Sequence, residues 1–157
     1  MKQFPYGVQS PADTPEVAKA ILSEYFAITA GLGIRACVIY GVCLGFYRDG
    51  EFPAGDNDID VVAVVDDDLD RAFVTKRLVA HGFLMGRTYA PRNTHFVKDG
   101  ILIDVYWRKP EGFYSEFAGV DYHGTAFPIP ARIEEFLVAC YGDDWRTPQD
   151  KGSVYIG

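Results

Sequence analysis

Residues 40–65 read YGVCLGFYRDGEFPAGDNDIDVVAVV and contain the pattern that decides the fold. Asp58 and Asp60 stand directly before an apolar run of five residues. If residues 59–65 form a strand, alternate side chains point to the same face, so the two carboxylates lie on one face, roughly 6–7 Å apart. Two carboxylates at this spacing can bind one divalent cation. A run that is apolar on both faces is typical of a central strand covered on both sides.

A glycine-containing turn precedes the acidic pair. The apolar segment 36–40 is predicted to be a strand, and Gly41 and Gly45 follow it, where backbone amides can approach a phosphate group closely. The order of strand, glycine turn and acidic pair is the layout of a site for a metal ion and a phosphate. Asp56 is a further candidate ligand of the same ion.

Asp104 is the third candidate acid. It lies inside ILIDVYW, residues 101–107, an apolar segment predicted to be a strand. An ionised carboxylate in such a strand loses its hydration unless it is paired, hydrogen-bonded or bound to a metal. The residue type and its setting therefore indicate a functional carboxylate.

These elements resemble the nucleotidyltransferase superfamily, which has a polymerase-β-like fold, and within it the LicD/fukutin type of phosphotransferase. The signature of that type has two glycines around a short apolar stretch, then an arginine, a proline and a cluster ending Asp-x-Asp-hydrophobic-Asp. The matching residues are Gly41, Leu44, Gly45, Arg48, Gly50, Pro53, Asp56, Asp58, Ile59 and Asp60.

A second match to the same type lies near the C-terminus. Residues 131–137, ARIEEFL, lead into YGDDW at 141–145 and then Pro148, which is similar to the closing element of that family. Two positions depart from its pattern. Val42 replaces the usual threonine after the first glycine and so lacks a hydroxyl for phosphate, and residues 54–56, AGD, replace a Trp-Asp pair.

The resemblance implies an α/β (α+β) nucleotidyltransferase-like domain, with a mixed sheet flanked by helices. Its third acid lies on a strand beside the Asp-x-Asp strand, and Asp104 occupies that position. We predict that Asp58, Asp60 and Asp104 are catalytic and bind Mg²⁺ or Mn²⁺. The resemblance further implies transfer of a phospho-substituent, such as phosphocholine or a phospho-alditol, from a nucleotide-diphosphate donor, CDP-linked, to a sugar or glycan hydroxyl.

Three further side chains are candidate phosphate contacts. Arg48 matches the family arginine, although a cation at a helix end also suits the helix dipole. Arg92 and His95 flank the start of the strand before Asp104 and can reach the donor diphosphate. His95 is equally compatible with an inert strand residue.

Other functions share parts of this pattern. A nucleotidyltransferase that moves NMP from NTP to a small molecule or protein would use the same carboxylates, and a non-catalytic nucleotide- or metal-binding module could retain them. The Asp-x-Asp motif of glycosyltransferases is a rival, but there the apolar strand usually precedes the pair. A calcium-binding EF-hand loop is excluded, because Val61 stands where it needs glycine and Asp67 where it needs glutamate.

The composition predicts one globular domain, residues 1–157. Of these residues 48% are apolar, and the net charge of −7 disfavours nucleic acid as a partner. The three cysteines show no metal-binding spacing, and no apolar stretch reaches the ~18 residues of a transmembrane segment. We therefore expect a reduced, cytoplasmic protein without a transmembrane segment.

The remaining elements are predicted from periodicity and from capping and turn residues. Residues 69–80 are predicted to form a helix whose Phe73, Leu78 and Val79 pack inward. The other expected elements are an irregular arm 1–12, a helix from Pro15 to Gly31, a short helix 42–47, strands 83–89, 94–98 and 101–107, a surface loop 110–129, a helix 134–141 and a tail 143–157.

Overall fold

A five-stranded mixed sheet forms the centre of the computed structural model, which describes residues 5–149. Its spatial order is β1-β2-β5-β4-β3, in which β2 and β5 are parallel and the other neighbours are antiparallel. The strands are β1 (Ala36–Val38), β2 (Ile59–Val64), β3 (Leu84–Thr88), β4 (Asn93–Lys98) and β5 (Ile101–Arg108). This mixed sheet, flanked by helices in a single domain, confirms the predicted fold class.

Four α-helices within residues 5–149 accompany the sheet. Helix α1 begins at Pro15, where the proline in its first turn has no amide hydrogen to leave unpaired. Helix α2 continues as a wider π-helical turn over Gly45–Asp49. The helices are α1 (Pro15–Gly31), α2 (Tyr40–Leu44), α3 (Asp68–Ala80) and α4 (Ile133–Tyr141). Short 3₁₀ turns occur at Pro5–Gly7, Pro11–Asp13 and Gly112–Tyr114.

Apolar packing covers both faces of β2. On one face, Val61 packs in a core that includes Tyr25 of α1 and Leu78 of α3. On the other face, Val62 packs in a second cluster with Leu137 of α4. The prediction of a doubly covered central strand is therefore confirmed. Because apolar residues cover both faces of β2, a functional site next to β2 and β5 has to lie at the polar ends of these strands.

The prediction of a surface loop over 110–129 was wrong. Strands β6 (Phe117–Tyr122) and β7 (Thr125–Pro130) form an antiparallel hairpin, with a turn at His123 and Gly124. Phe127 and Ile129 of β7 alternate into the core. The prolines of β7 hid this strand from sequence analysis, yet a two-stranded ribbon tolerates them because each strand has an edge without a partner.

The orientation predicted for α3 was also partly wrong. Phe73 and Val79 are 57% and 48% exposed, whereas Val74 and Leu78 are fully buried. Val74 and Leu78 are four residues apart and share one helical face, from which Phe73 and Val79 are each rotated by one residue, roughly 100°.

Several boundaries differ from the expected ones by one or two residues. Strand β1 ends at Val38, because the backbone turns into α2 at Tyr40, which has φ 53°. The predicted arm 1–12 and tail 143–157 lie partly outside the described residues. Within those residues, no helix is long and apolar enough to cross a bilayer.

The packing of α3 gives the first prediction. Leu78→Ala should lower the free energy of unfolding by about 2–5 kcal/mol, because it opens a cavity in the core. Phe73→Ala, on the exposed face, should change it by about 0.5 kcal/mol or less. Urea unfolding of both variants measures the difference. A larger loss for Phe73→Ala would contradict the observed face of α3.

Candidate metal centre

Three carboxylates converge at one end of the parallel pair β2 and β5. Asp60 and Asp104 are directly opposite each other in the strand register, so both side chains lie on the same face of the sheet. Asp58 precedes Asp60 by two residues. One carboxylate oxygen from each of the three residues lies within 4.8 Å of the other two. The structure thus brings together the three acids that the sequence singled out.

The oxygen atoms fit a small divalent cation. Carboxylate oxygens are hard ligands of the kind that Mg²⁺ and Mn²⁺ prefer. In an octahedral Mg²⁺ site with bonds of about 2.1 Å, adjacent ligands are about 3.0 Å apart and opposite ligands about 4.2 Å. Three oxygens within 4.8 Å of one another can therefore bind one ion after the side chains close by up to about 2 Å.

Burial and like charges disfavour three ionised groups at this place. Burial raises the pKa of Asp58 to about 7, and the charges of Asp104 and Asp56 add to this effect. The pKa of Asp60 is raised well above its ordinary value by burial, and then by its three acidic neighbours. Burial also raises the pKa of Asp104. A bound cation or bound protons would relieve this repulsion.

Asp104 is held by residues on β4 and by Arg92, which directly precedes that strand. Asn93 Nδ2 donates to Asp104 Oδ1 at 2.8 Å, and Arg92 Nε donates to Asn93 Oδ1 at 2.7 Å. His95 lies opposite Asp104 in the register, with Nε2 at 3.6 Å from Asp104 Oδ2. Arg92 and His95 are therefore beside the acids, and their contact with a donor diphosphate stays a prediction. Asn93, one residue before the predicted strand 94–98, was not among the predicted site residues.

The N-terminal arm contributes a second residue that sequence analysis missed. The Tyr6 hydroxyl lies 3.2 Å from His95 Nδ1 and accepts a hydrogen bond of 2.7 Å from the backbone N–H of Arg87. A Cβ at Gly86 would lie 2.7 Å from the Tyr6 ring, so a glycine there leaves room for the tyrosine. No local pattern predicts a contact between residues so distant in sequence.

Close packing explains why glycines stand at 41 and 45. A Cβ at Gly41 would lie 2.6 Å from Asp56 Oδ2, and a Cβ at Gly45 would lie 2.5 Å from the carbonyl oxygen of Glu51. Gly41 thereby lets the Asp56 carboxylate approach the start of α2. The phosphate contacts expected of these two glycines stay a prediction.

A cleft of about 300 Å³ has Asp56, two residues before Asp58, in its wall. Arg48 lines it too, pairs with Asp49 at 2.9 Å, and donates from Nη1 to the carbonyl oxygen of Trp145 at 3.1 Å. Tyr47 donates to Glu134 Oε2 at 3.0 Å. The two segments that resemble the LicD/fukutin type therefore meet in space.

Comparison with known proteins shows similarity in structure. No protein-family model and no curated protein matches the sequence. The lincosamide antibiotic adenylyltransferase LnuA, solved with lincomycin bound, has a TM-score of 0.58 and 12% identity, covering 76% of this chain and 84% of that one. ANT(2″)-Ia in complex with adenylyl-2″-tobramycin has a TM-score of 0.53 and 12% identity, covering 71% and 68%.

A third solved structure has the same fold. The putative nucleotidyltransferase from Thermotoga maritima has a TM-score of 0.53 and 15% identity, covering 78% of this chain and 81% of that one. At such low identity these similarities show the fold alone. The chain therefore has a nucleotidyltransferase fold, as predicted, while the LicD/fukutin type stays a prediction.

The raised pKa values give a second prediction. The pKa of Asp58 in the folded protein is about 7, so between about pH 4 and 7 the folded state holds more protons than the unfolded chain. Raising the pH through this interval therefore favours unfolding. Without metal, we expect a lower free energy of unfolding at pH 7.5 than at pH 5, and Mn²⁺ should restore stability at pH 7.5.

Urea unfolding in chelator and in Mn²⁺ measures both effects. Asp58→Asn is the matched variant, since it removes one titrating group and one ligand. Its free energy of unfolding should change less with pH, and should increase less when Mn²⁺ is added, than that of the wild type. Equal pH dependence in wild type and variant would contradict the raised pKa of Asp58, and no gain from Mn²⁺ at pH 7.5 would contradict a metal centre formed by these acids.

Proposed function

We propose that the protein is a divalent-metal-dependent nucleotidyltransferase that moves NMP from NTP to a hydroxyl group of a small molecule. The observation that carries this proposal is the cluster of Asp58, Asp60 and Asp104 on adjoining strands of a nucleotidyltransferase fold. Two of the similar structures are an adenylyltransferase with lincomycin bound and an enzyme in complex with adenylyl-2″-tobramycin. They support a small-molecule acceptor.

Asp58 and Asp60 would hold the cation, Mg²⁺ or Mn²⁺. When bound, such an ion neutralises negative charge on the donor phosphates and on the leaving group. Asp58 and Asp60 have little mobility to lose, because Asp60 lies on a central strand and Asp58 directly before it. The cation that neutralises the donor phosphates would therefore bind to carboxylates that are already in place.

Asp104 would act as the general base. Its Oδ1 accepts from Asn93, which leaves Oδ2, near His95, to take the proton of the acceptor hydroxyl. The acceptor oxygen then forms a bond to the α-phosphorus, the bond from that phosphorus to the bridging oxygen breaks, and pyrophosphate leaves. Asn93 and His95 position the base throughout this step.

Arg92 and His95 are the basic side chains beside Asp104, and they would contact the donor phosphates. Arg48 is placed differently, because it already donates to Asp49 and to the carbonyl oxygen of Trp145. A phosphate contact by Arg48, as the resemblance implies, would have to replace the Asp49 pair.

A second candidate is the phosphotransferase activity of the LicD/fukutin type, with a CDP-linked donor and a sugar or glycan acceptor. It is favoured by one observation, the meeting of the two matched segments at the hydrogen bond from Arg48 to the Trp145 carbonyl. Both activities would use the same three acids.

The third prediction separates the catalytic acids from other acids. With α-labelled NTP, Mn²⁺ and a panel of hydroxyl-bearing small molecules that includes lincomycin and tobramycin, wild type should label an acceptor and release pyrophosphate. Asp104→Asn should lower the rate by about 100-fold or more, as loss of a general base does. Asp66→Asn, an exposed residue beyond the opposite end of β2, is the matched control and should retain the wild-type rate.

The fourth prediction concerns the choice between the two activities. If the nucleotidyltransferase proposal is correct, CDP-linked donors labelled in the transferred phosphate should give no labelled acceptor and no CMP. Transfer from these donors, with none from α-labelled NTP, would establish the second candidate instead. If no ion or nucleotide raises the unfolding midpoint, both enzymatic proposals fail and a non-catalytic module remains.

A further inference from the structure

The N-terminal arm is fixed against the sheet on both sides of Tyr6. The backbone N–H of Gln9 donates to the carbonyl oxygen of Gly100, in the turn between β4 and β5, at 2.8 Å, and Val8 is buried. Tyr6 has φ 63° and ψ 12°, in the left-handed region that residues other than glycine rarely adopt. Such a conformation persists only where surrounding contacts fix it, and it is common at functional sites.

Two aromatic side chains contact the ring of His95. The rings of Tyr6 and His95 meet edge to face, with 5.9 Å between their centroids, and the glycine at 86 leaves room for the Tyr6 ring. Tyr89 meets His95 in the same way at 5.6 Å, but its hydroxyl interacts with the guanidinium of Arg87. The hydroxyl of Tyr6 therefore distinguishes it from Tyr89 as a partner of His95.

The hydrogen bonds of the Tyr6 hydroxyl favour one position for the proton of His95. The hydroxyl oxygen accepts from the backbone N–H of Arg87 at 2.7 Å, which leaves its own hydrogen free to donate. His95 Nδ1 lies 3.2 Å from this oxygen and can accept that hydrogen. In a neutral imidazole one nitrogen accepts and the other carries the proton. The proton of neutral His95 is then on Nε2, which lies 3.6 Å from Asp104 Oδ2.

This tautomer suits a site that contains anions. An N–H at Nε2 attracts the carboxylate of Asp104 and the phosphate oxygens of a donor, whereas a bare Nε2 would direct its lone pair at them. We propose that Tyr6 is a positioning residue, which holds His95 in the tautomer that carries its proton on Nε2 and faces Asp104. The proposal rests on the nucleotidyltransferase function proposed above. Tyr6 acts only through His95, and the N-terminal arm thereby becomes part of the active site.

Nuclear magnetic resonance of the full chain, labelled with ¹⁵N-histidine and free of metal and nucleotide, measures the tautomer directly. At a pH where the spectrum shows a neutral His95 ring, the wild type should carry the proton on Nε2. Tyr6→Phe keeps the ring and loses the hydroxyl, so the ratio of the Nε2–H to the Nδ1–H tautomer should fall by about fivefold, as expected for one lost hydrogen bond. Tyr89→Phe is the matched control and should keep the wild-type ratio.

Kinetics with α-labelled NTP and Mn²⁺ measure what the tautomer contributes to the reaction. Tyr6→Phe should lower kcat/KM for NTP by about fivefold. His95→Gln presents an amide N–H in place of Nε2 and has no second tautomer, so in that background Tyr6→Phe should cost less than about twofold. A role of Tyr6 in packing alone would give the same loss in both backgrounds. Circular dichroism checks that each variant is folded.

Three results would overturn the proposal: a proton on Nδ1 in wild-type His95, an unchanged tautomer ratio in Tyr6→Phe, or the same loss of kcat/KM in both backgrounds. Binding of Mn²⁺ and ATP is measured separately on the same samples. If label is transferred but the tautomer ratio does not change, the role of Tyr6 is wrong and the nucleotidyltransferase proposal stands. If the ratio changes but Mn²⁺ and ATP do not bind, the proposed function fails, and Tyr6 still sets the tautomer of His95.

Discussion

The register between β2 and β5 is the constraint on which the rest of the site depends. It places Asp60 directly opposite Asp104 on neighbouring parallel strands. Like charges in such a pair destabilise a sheet, and burial adds the cost of lost hydration. The fold keeps this arrangement because apolar residues on both faces of β2 fix the register, since a shift by one residue would turn every side chain to the other face.

The neighbouring segments are arranged around that pair of charges. Strand β4 is antiparallel to β5 and brings Asn93 and His95 to Asp104, and the arm brings Tyr6 to His95. On the side of β2, the glycine at 41 leaves room for the Asp56 carboxylate. Asn93 and His95 orient Asp104, and among these contacting residues only His95 can carry a positive charge. The negative potential at the centre of the site is thus preserved for a cation.

The sequence predicted the parts of this structure that depend on local pattern. The apolar run after Asp60 and the isolated Asp104 in an apolar segment were sufficient to predict two central strands and the three acids. The hairpin at 117–130 was not predicted, because Pro128 and Pro130 are strand breakers except at an edge. The contact of Tyr6 with His95 depends on how distant segments meet, about which single-sequence patterns carry no information. Asn93 reaches Asp104 across the β4–β5 hairpin, one residue before the predicted strand 94–98.

Acidic and basic side chains lie on different sides of the three acids. In an in-line displacement the attacking oxygen and the leaving group lie on opposite sides of the phosphorus. The acidic cleft is lined by residues from 41–56, between β1 and β2, and from 141–149, whereas Arg92 directly precedes β4 and His95 lies on β4, beyond β5. In the proposed reaction, Arg92 and His95 would therefore attract the donor phosphates from the β4 side of the three acids, whereas the acidic side chains of the cleft would repel them from the other side.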